Sequence, residues 1–198
     1  MVARFTAVAA ALVGLAAGTS GCGMLDVAAR GGADARPVAI DEERGTVAGF
    51  ELGAPVDEAV AALGTPGERS AHGPLWPLGE RPGRASLNMA LPAGHRSLEV
   101  LRYRGLAVLV ADGRVFAVIA TATGTTTASG VGVGSPLAEA RAAFPGLRCA
   151  EVERNERIPP FAVELVARCR ARLGDRLRVG FVGDPVESVT LSTTGLGI

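Results

Sequence analysis

A short segment that occurs twice is the feature that most constrains how this chain of 198 residues can fold. Residues 52–63 and 133–144 share, at identical spacing, a glycine, a small residue, a proline, an aliphatic residue and a glutamate. Proline suits the first turn of a helix, and an early acid interacts favourably with the helix dipole. Both copies therefore predict a helix start, at Pro55 and at Pro136, and Ser135 is a candidate N-cap for the second helix.

Both predicted helices are short and have one apolar face. In the first copy that face follows the helical spacing i, i+3, i+4, i+7 and consists of Val56, Ala59, Val60 and Leu63. In the second copy it consists of Leu137, Ala140 and Phe144. Gly64-Thr65-Pro66 and Pro145-Gly146 should end the two helices, because glycine and proline break helical backbone.

Strand signals follow each predicted helix. One hairpin is predicted around Asp112-Gly113 and a second around 183–185. Their strands are expected at 106–111, 114–121, 177–182 and 186–193. Further strands are expected at 97–103 and 161–170, with weaker candidates at 85–91 and 148–153. The sequence thus predicts an α+β fold of two tandem units, 46–127 and 128–198, each a short helical part followed by an antiparallel sheet.

These segments also resemble known families. The phrase from Leu52-Gly53 to Leu63-Gly64-Thr65-Pro66 resembles the helix-and-turn phrase of the SmpA/OmlA outer-membrane-assembly lipoproteins. Its duplication, together with 101–108 and 112–115, resembles the tandem helix-loop-helix-plus-four-strand repeats of the β-lactamase-inhibitor protein family. The resemblance covers about residues 46–195 and implies a sheet that serves as a protein-binding surface. It transfers no catalytic residue, because a fold alone does not fix function.

The N-terminal segment indicates export. Arg4 precedes a run of small and apolar residues at 5–17, which at about thirteen residues is shorter than the ~20 of a membrane-spanning helix. Thr19-Ser20-Gly21-Cys22 resembles the lipobox of bacterial prolipoproteins, in which the cysteine receives lipid and becomes the mature N-terminus. We therefore expect a signal peptide at 1–21, a lipidated Cys22, a flexible tether over 22–45, and an extracytoplasmic protein anchored to the inner or outer bacterial membrane.

Two further cysteines, Cys149 and Cys169, form an even pair in an exported protein, where thiols can be oxidised. A disulfide is the prediction, and two buried free thiols are the alternative. No metal site is predicted, because neither histidine lies in that half of the chain. No cofactor is predicted either. The sequence has no lysine, which excludes a Schiff base and a phosphate-loop lysine.

Two groups of residues are candidates for binding a partner protein. Trp76 lies in the long Pro/Gly-rich stretch 65–96 and could be an interface anchor, or it could fold back on its own unit. The first hairpin is apolar on both faces, whereas the second alternates apolar residues with Arg178 and Gly180. Val115, Ala117 and Ile119 are therefore expected to contact either the second unit or a partner.

A basic cluster near the C-terminus has two interpretations. Its members are Arg168, Arg170, Arg172, Arg176 and Arg178, and they follow Glu151, Glu153 and Glu156. If the two segments pair as strands, the opposite charges should face one another as ordinary surface complementarity. Contact with anionic lipid headgroups is the alternative.

Together these features predict a lipid-anchored module for protein binding or envelope assembly, with an envelope or secreted protein as its partner. Inhibition of an extracytoplasmic enzyme is one form of that function. The formal net charge of +0 and the absence of a basic stripe argue against nucleic acid. No catalytic residue is predicted. The competing hypothesis is an extracytoplasmic hydrolase that uses the loop containing His72 and His95.

Overall fold

The computed structural model describes residues 36–72, 97–155 and 163–193, and these residues are mostly β-structure. Helix accounts for 12% of them and strand for 49%. The predicted α+β class is therefore wrong, and so are the predicted helix-loop-helix units. Each described unit has one helix of seven or eight residues, because the helix breakers lead directly into a strand.

The described elements follow one another along the chain in a repeated order of one helix and four strands. An N-terminal group of short strands precedes the first helix: β1 (Ala39–Asp41), β2 (Thr46–Val47) and β3 (Phe50–Glu51). The first series is α1 (Val56–Leu63), β4 (Glu68–His72), β5 (Leu98–Tyr103), β6 (Leu106–Ala111) and β7 (Arg114–Ala120). After β8 (Thr126–Thr127) come α2 (Leu137–Ala143), β9 (Arg148–Asn155), β10 (Val163–Leu173), β11 (Leu177–Val182) and β12 (Ser188–Thr193). Neither of these helices has the length and apolar character that crossing a membrane requires.

The large sheet contains eight strands in the order β4-β5-β6-β7-β12-β11-β10-β9, and every neighbouring pair is antiparallel. The two hairpins meet at the centre, where β7 pairs with β12. Ala120 lies opposite Val189 there, and Val118 lies opposite Leu191. The strand orders of the two halves therefore mirror each other about this central seam. β4 was not predicted, since its sequence falls in the stretch taken as a loop, and the weak strand candidate at 85–91 lies outside the described residues.

A smaller sheet, in the order β3-β2-β1-β8, packs with both helices on one face of the large sheet. Val38 and Ile40 of its N-terminal strand are buried in the same core as Ala59 of α1 and Leu137 of α2. Part of the predicted tether, residues 39–45, is thus folded. The reason is that Val38 and Ile40, two residues apart in an extended strand, both face the core.

A buried carboxylate fastens this N-terminal strand to the rest of the fold. Glu42 is only 2% exposed and accepts hydrogen bonds from the backbone N–H groups of Ala128 and Ser129, at 2.7 and 2.8 Å. The Ser129 hydroxyl donates a further hydrogen bond to the same carboxylate. Charge-assisted hydrogen bonds offset the cost of burying a charged group. Glu42 therefore joins the start of the folded chain to the turn that follows β8.

The two Gly-small-Pro segments bind the hairpin of their own half, near the point where its second strand begins. The N–H of Gly53 donates to Val115 O, and the N–H of Val115 donates to Ala54 O. In the second half, Gly134 donates to Val186 O and Val186 donates to Ser135 O. Each helix start is therefore held by two backbone hydrogen bonds, and the pattern is the same in both halves.

The caps of the two helices come from the hairpin turns and not from their own residues. The N–H of Val56 donates to Gly113 O, and the N–H of Leu137 donates to the Asp184 carboxylate at 3.0 Å. Ser135 was expected to cap α2, but its hydroxyl accepts a bond from the N–H of Gly132. That expectation is wrong because Asp184, distant in sequence, takes the position of the cap.

Gly134→Ala should lower the free energy of unfolding by about 1–2 kcal/mol, because a residue with a Cβ is disfavoured at positive φ. Gly134 has a φ of 97°, and a Cβ there would have no heavy atom within 4 Å, so the effect comes from the backbone alone. Urea denaturation measures the change. The control is Gly146→Ala, which also meets open space but lies outside the left-handed region. It should be neutral or slightly stabilising, and equal losses in the two variants would contradict this assignment.

The predicted disulfide is confirmed. Cys149 and Cys169 lie directly opposite each other on β9 and β10, with a Cα–Cα distance of 4.0 Å, and their sulfurs are bonded. Cys169 is fully buried in the core under α2, whereas Cys149 is exposed. The bond therefore fixes the edge strand β9 to its neighbour.

Reduction of this bond should lower the melting temperature and accelerate hydrogen exchange in β9. Closing a loop with a sequence separation of 20 contributes on the order of 3 kcal/mol in the entropic treatment. Differential scanning calorimetry with and without dithiothreitol measures the effect. The Cys149→Ser/Cys169→Ser double variant should not respond to the reductant. Reactive thiols at both positions in the unreduced protein would contradict the bond.

Candidate functional site

The large sheet has two chemically different faces. One face contacts both helices and the small sheet, and its buried side chains include Leu101, Val108 and Phe181. The other face divides at the central seam. In the first half it carries a buried apolar patch, and in the second half it carries arginines. The apolar patch consists of Leu98, Val100, Ala107, Leu109, Ala111, Phe116, Ala117 and Ile119.

The predicted partner residues of the first hairpin do not share one face. Leu109 pairs with Ala117 and Val110 pairs with Val115, so the register shifts at this point and Phe116 is the extra residue of a β-bulge. Val115 consequently lies in the core under the helices, whereas Ala117 and Ile119 belong to the apolar patch. All three are at most 4% exposed. The structure therefore does not bring them together as an accessible surface.

The remaining candidate residues lie in the Pro/Gly-rich stretch, and the structure describes the side chain of none of them. Trp76 and His95 lie outside the described residues. His72 is the last residue of β4 and pairs with Leu98, and only its backbone is described. Within the described ranges, no three His, Cys, Asp or Glu side chains are grouped so that they could hold a metal ion.

Arginines line the outer face of the second half of the sheet. On β10 they alternate with Cys169 and Ala171, which are buried in the core, so the arginines project from the opposite face. Partner residues on β9 and β11 project to the same side. We call this surface the arginine face, and its members are Arg148, Arg168, Arg170, Arg172 and Arg178.

The strand register places like charges directly opposite one another. Arg170 pairs with Arg148 on one side, and Arg172 pairs with Arg178 on the other. The expected complementarity with glutamates is therefore wrong, since Glu151 pairs with Ala167 and Glu153 pairs with Leu165. A shift of one residue in register moves every side chain to the other face of a sheet.

Complementary pairs occur elsewhere in the same sheet. Glu68 on β4 is opposite Arg102 on β5, and their charged atoms are 3.4 Å apart. Arg69 and Glu99 form a two-point ion pair across the same strands, and the Glu99 carboxylate raises the pKa of the Arg69 guanidinium. Opposite charges across strands stabilise a sheet and like charges destabilise it. The arginine face departs from the pattern that the first half follows.

Burial and a neighbouring charge both act on one member of this face. Arg168 is half-buried, and that burial lowers the pKa of its guanidinium. The nearby charge of Arg170 lowers the same pKa further. Arg148, Arg170 and Arg172 are exposed to solvent. A face of this kind can hold carboxylate or phosphate groups, because guanidinium presents a planar set of donors that matches them.

A small hollow lies within the arginine face. Its floor is Gly180 on β11, which pairs with Arg170 on one side and with Thr190 on the other. The hollow is lined by side chains of Arg168, Arg170, Arg178, Thr190 and Ser192, and we call it the Gly180 hollow. A wider cleft lies between the small sheet and the β10–β11 turn, where exposed charges of both signs include Glu43, Arg44, Asp175 and Arg176.

The comparisons with known proteins give no family by which to identify the chain. No family model, no curated protein and no solved structure matches it significantly. The resemblance to outer-membrane-assembly lipoproteins and to the inhibitor repeats therefore stays a prediction. The site must be judged on its own geometry.

Arg148→Glu should stabilise the protein, because it places a carboxylate directly opposite Arg170 in place of a like charge. The expected gain is about 0.2–1 kcal/mol at low salt, and salt should diminish it. Urea unfolding at low and at high sodium chloride measures the difference. Arg141→Glu changes net charge equally but lies on α2, so it should give no gain. Equal effects of the two variants would show that only net charge matters.

Proposed function

We propose that this protein is a lipid-anchored extracytoplasmic binding module whose arginine face contacts a partner protein. The observation that carries the proposal is the register that sets exposed Arg170 directly opposite exposed Arg148, with Arg172 exposed two residues further along β10. This arrangement disfavours the isolated sheet, and a partner that supplies negative charge would relieve the repulsion. Binding of such a partner would give this unfavourable arrangement a role.

Three features support the location. The N-terminal sequence has the form of an export signal followed by Cys22. The Cys149–Cys169 disulfide fits an oxidising compartment. The first described strand begins at Ala39, and the sixteen residues between Cys22 and Ala39 allow a separation of at most about 60 Å when fully extended. A domain on such a tether would remain close to the membrane surface.

Two forms of this function use the same face. In envelope assembly the module would hold another envelope protein, and in inhibition it would cover the surface of a secreted or envelope enzyme. Both require a protein docked on the arginine face. The hydrolase alternative draws no support from the described residues.

Site-specific photocrosslinking of the full-length protein in intact cells tests the proposal. A crosslinker in place of Arg172 on the arginine face should give a defined protein adduct. The same crosslinker in place of Arg141, exposed on α2, is the matched control and should give little or none. The expected result is a single dominant adduct at Arg172 that identifies the partner by mass spectrometry.

The same preparation tests the anchor. Its N-terminal peptide should begin at Cys22 and carry a diacyl or triacyl mass. An unmodified Cys22 in a chain cut elsewhere would remove the lipid anchor from the proposal and leave the binding face intact. Equal crosslinking at Arg172 and Arg141 would overturn the binding face. Hydrolase activity that disappears with His72→Ala and His95→Ala would favour the alternative function.

A further inference from the structure

The large sheet ends in an open edge at β9. Among the described strands, β9 pairs only with β10, and its register runs without a bulge from Arg148 to Asn155. Residues 148–151 are exposed, so this stretch of the edge is open to solvent. β9 has eight residues, whereas β4 at the other end of the sheet has five. A long edge strand offers a row of unpaired backbone groups with which another chain can pair.

Two observations show which backbone groups of β9 face outward. In an antiparallel pair, opposite residues alternate between hydrogen-bonded pairs, with Cα atoms about 5.5 Å apart, and non-hydrogen-bonded pairs, about 4.5 Å apart. The Cα atoms of Cys149 and Cys169 are 4.0 Å apart, which indicates a non-hydrogen-bonded pair. Independently, the carbonyl of Ala167 accepts a bond from the N–H of Gly183, so Ala167 directs its backbone groups toward β11. Cys169, two residues further along the strand, does the same and therefore does not bond to β9.

The outer edge of β9 consequently alternates in its backbone and in its side chains. The N–H and C=O groups of Cys149 and Glu151 point away from β10, whereas those of Ala150 point toward it. These outward groups recur about every 7 Å, which is the repeat that an added strand would match. The side chains of Arg148, Ala150 and Val152 lie on the arginine face, and that of Glu151 lies on the other side of the sheet.

We propose, on the basis of the function proposed above, that the partner protein adds an extended segment to the outer edge of β9 as a further strand of the large sheet. Main-chain bonds to the outward groups of β9 would supply the attraction, and alternate side chains the specificity. On the arginine face the added segment would place a carboxylate opposite Arg148 and apolar side chains opposite Ala150 and Val152. That carboxylate would also lie near Arg170, which is directly opposite Arg148 on β10.

The charges of β9 favour a partner protein over a second copy of this chain. In the two antiparallel registers with the greatest overlap, two copies of β9 would place Glu151 opposite Glu151 or opposite Glu153. Like charges directly opposite each other destabilise a sheet. A partner segment with no acid at that position avoids this repulsion, and its carboxylate opposite Arg148 is attracted. The charges of the edge therefore disfavour self-pairing and select a complementary strand.

Proline substitution in the full-length protein tests the orientation of the edge, because proline has no N–H. Ala150→Pro removes a hydrogen bond to β10 and should lower the midpoint of urea unfolding strongly. Glu151→Pro removes only an outward N–H and should lower the midpoint much less, since an edge strand tolerates proline where its N–H faces solvent. Equal losses in the two variants would overturn the orientation and, with it, the added strand.

Photocrosslinking in intact cells, with the crosslinker in place of Arg172 as before, tests the binding of the added strand. Glu151→Pro should reduce the yield of adduct about tenfold, because the partner segment loses a main-chain donor and meets the proline ring. Glu151→Gln is the matched control, since it removes the same charge but keeps the N–H, and its yield should stay within about twofold of the wild type. Arg148→Glu should also reduce the yield, although it should stabilise the fold, because it sets a carboxylate opposite the carboxylate of the partner.

A second crosslinker position, Glu151, separates the inference from the function on which it rests. The partner peptide captured there should contain an aspartate or glutamate three residues from the crosslinked one, at the position opposite Arg148. If Glu151→Pro leaves the Arg172 adduct unchanged, the added strand is wrong and the binding face stands. An adduct at Glu151 without one at Arg172 would overturn the binding face and leave the added strand. Adducts at neither position would overturn both, and an adduct with a second copy of this chain would overturn the choice of a partner protein.

Discussion

The pairing of β7 with β12 is the constraint on which the rest of this structure depends. It joins the two four-stranded halves into one sheet, and its members Val118, Ala120, Val189 and Leu191 are completely buried. One continuous sheet allows both helices and the small N-terminal sheet to share a single core on one side. The opposite face of the same sheet then has two different halves, which are apolar and buried before the seam and arginine-bearing after it. Separate half-sheets of four strands would each have exposed an additional unpaired edge.

The Glu42 carboxylate helps to fix on which side of the large sheet the N-terminal strand lies. Its bonds to Ala128 and Ser129 hold β1 against the segment that connects the two halves, on the helix side of the large sheet. The arginine face lies on the opposite side of the same sheet. β1 therefore does not cover the arginine face, and Arg148, Arg170 and Arg172 stay exposed there.

Local signals in the sequence predicted local structure well. The periodicity of Val56–Leu63, the Asp112-Gly113 turn and the cysteine pair led to a helix, a hairpin and a disulfide that the structure contains. The errors concern relations between distant strands. The bulge at Phe116 separates Val115 from Ala117 and Ile119, and the register of β9 against β10 sets arginine opposite arginine. Neither follows from composition, because a shift of one residue exchanges the two faces of a strand and only long-range packing selects the register. The Gly180 hollow could not be predicted from the sequence either, because a glycine in an alternating strand does not indicate which side chains lie on the neighbouring strands.

Two unfavourable features of a sheet, a glycine inside a strand and arginines directly opposite one another, lie close together at Gly180, Arg170 and Arg148. The side chains beneath them are closely packed. On the reverse face of the same strand, Phe181 is fully buried with its ring 5.3 Å from that of Phe144, and Cys169 anchors the neighbouring strand through the disulfide. A rigid base limits how far the arginines can move apart to relieve their repulsion. Side chains that are already held near one another lose little further freedom when a ligand binds, so more of the electrostatic attraction contributes to affinity. In the first half of the sheet, Glu68 and Glu99 lie beside arginines of the neighbouring strand, whereas in the second half Arg148 and Arg170 lie directly opposite each other. This contrast is the physical argument for proposing the arginine face, and not the first half of the sheet, as the surface that meets a partner.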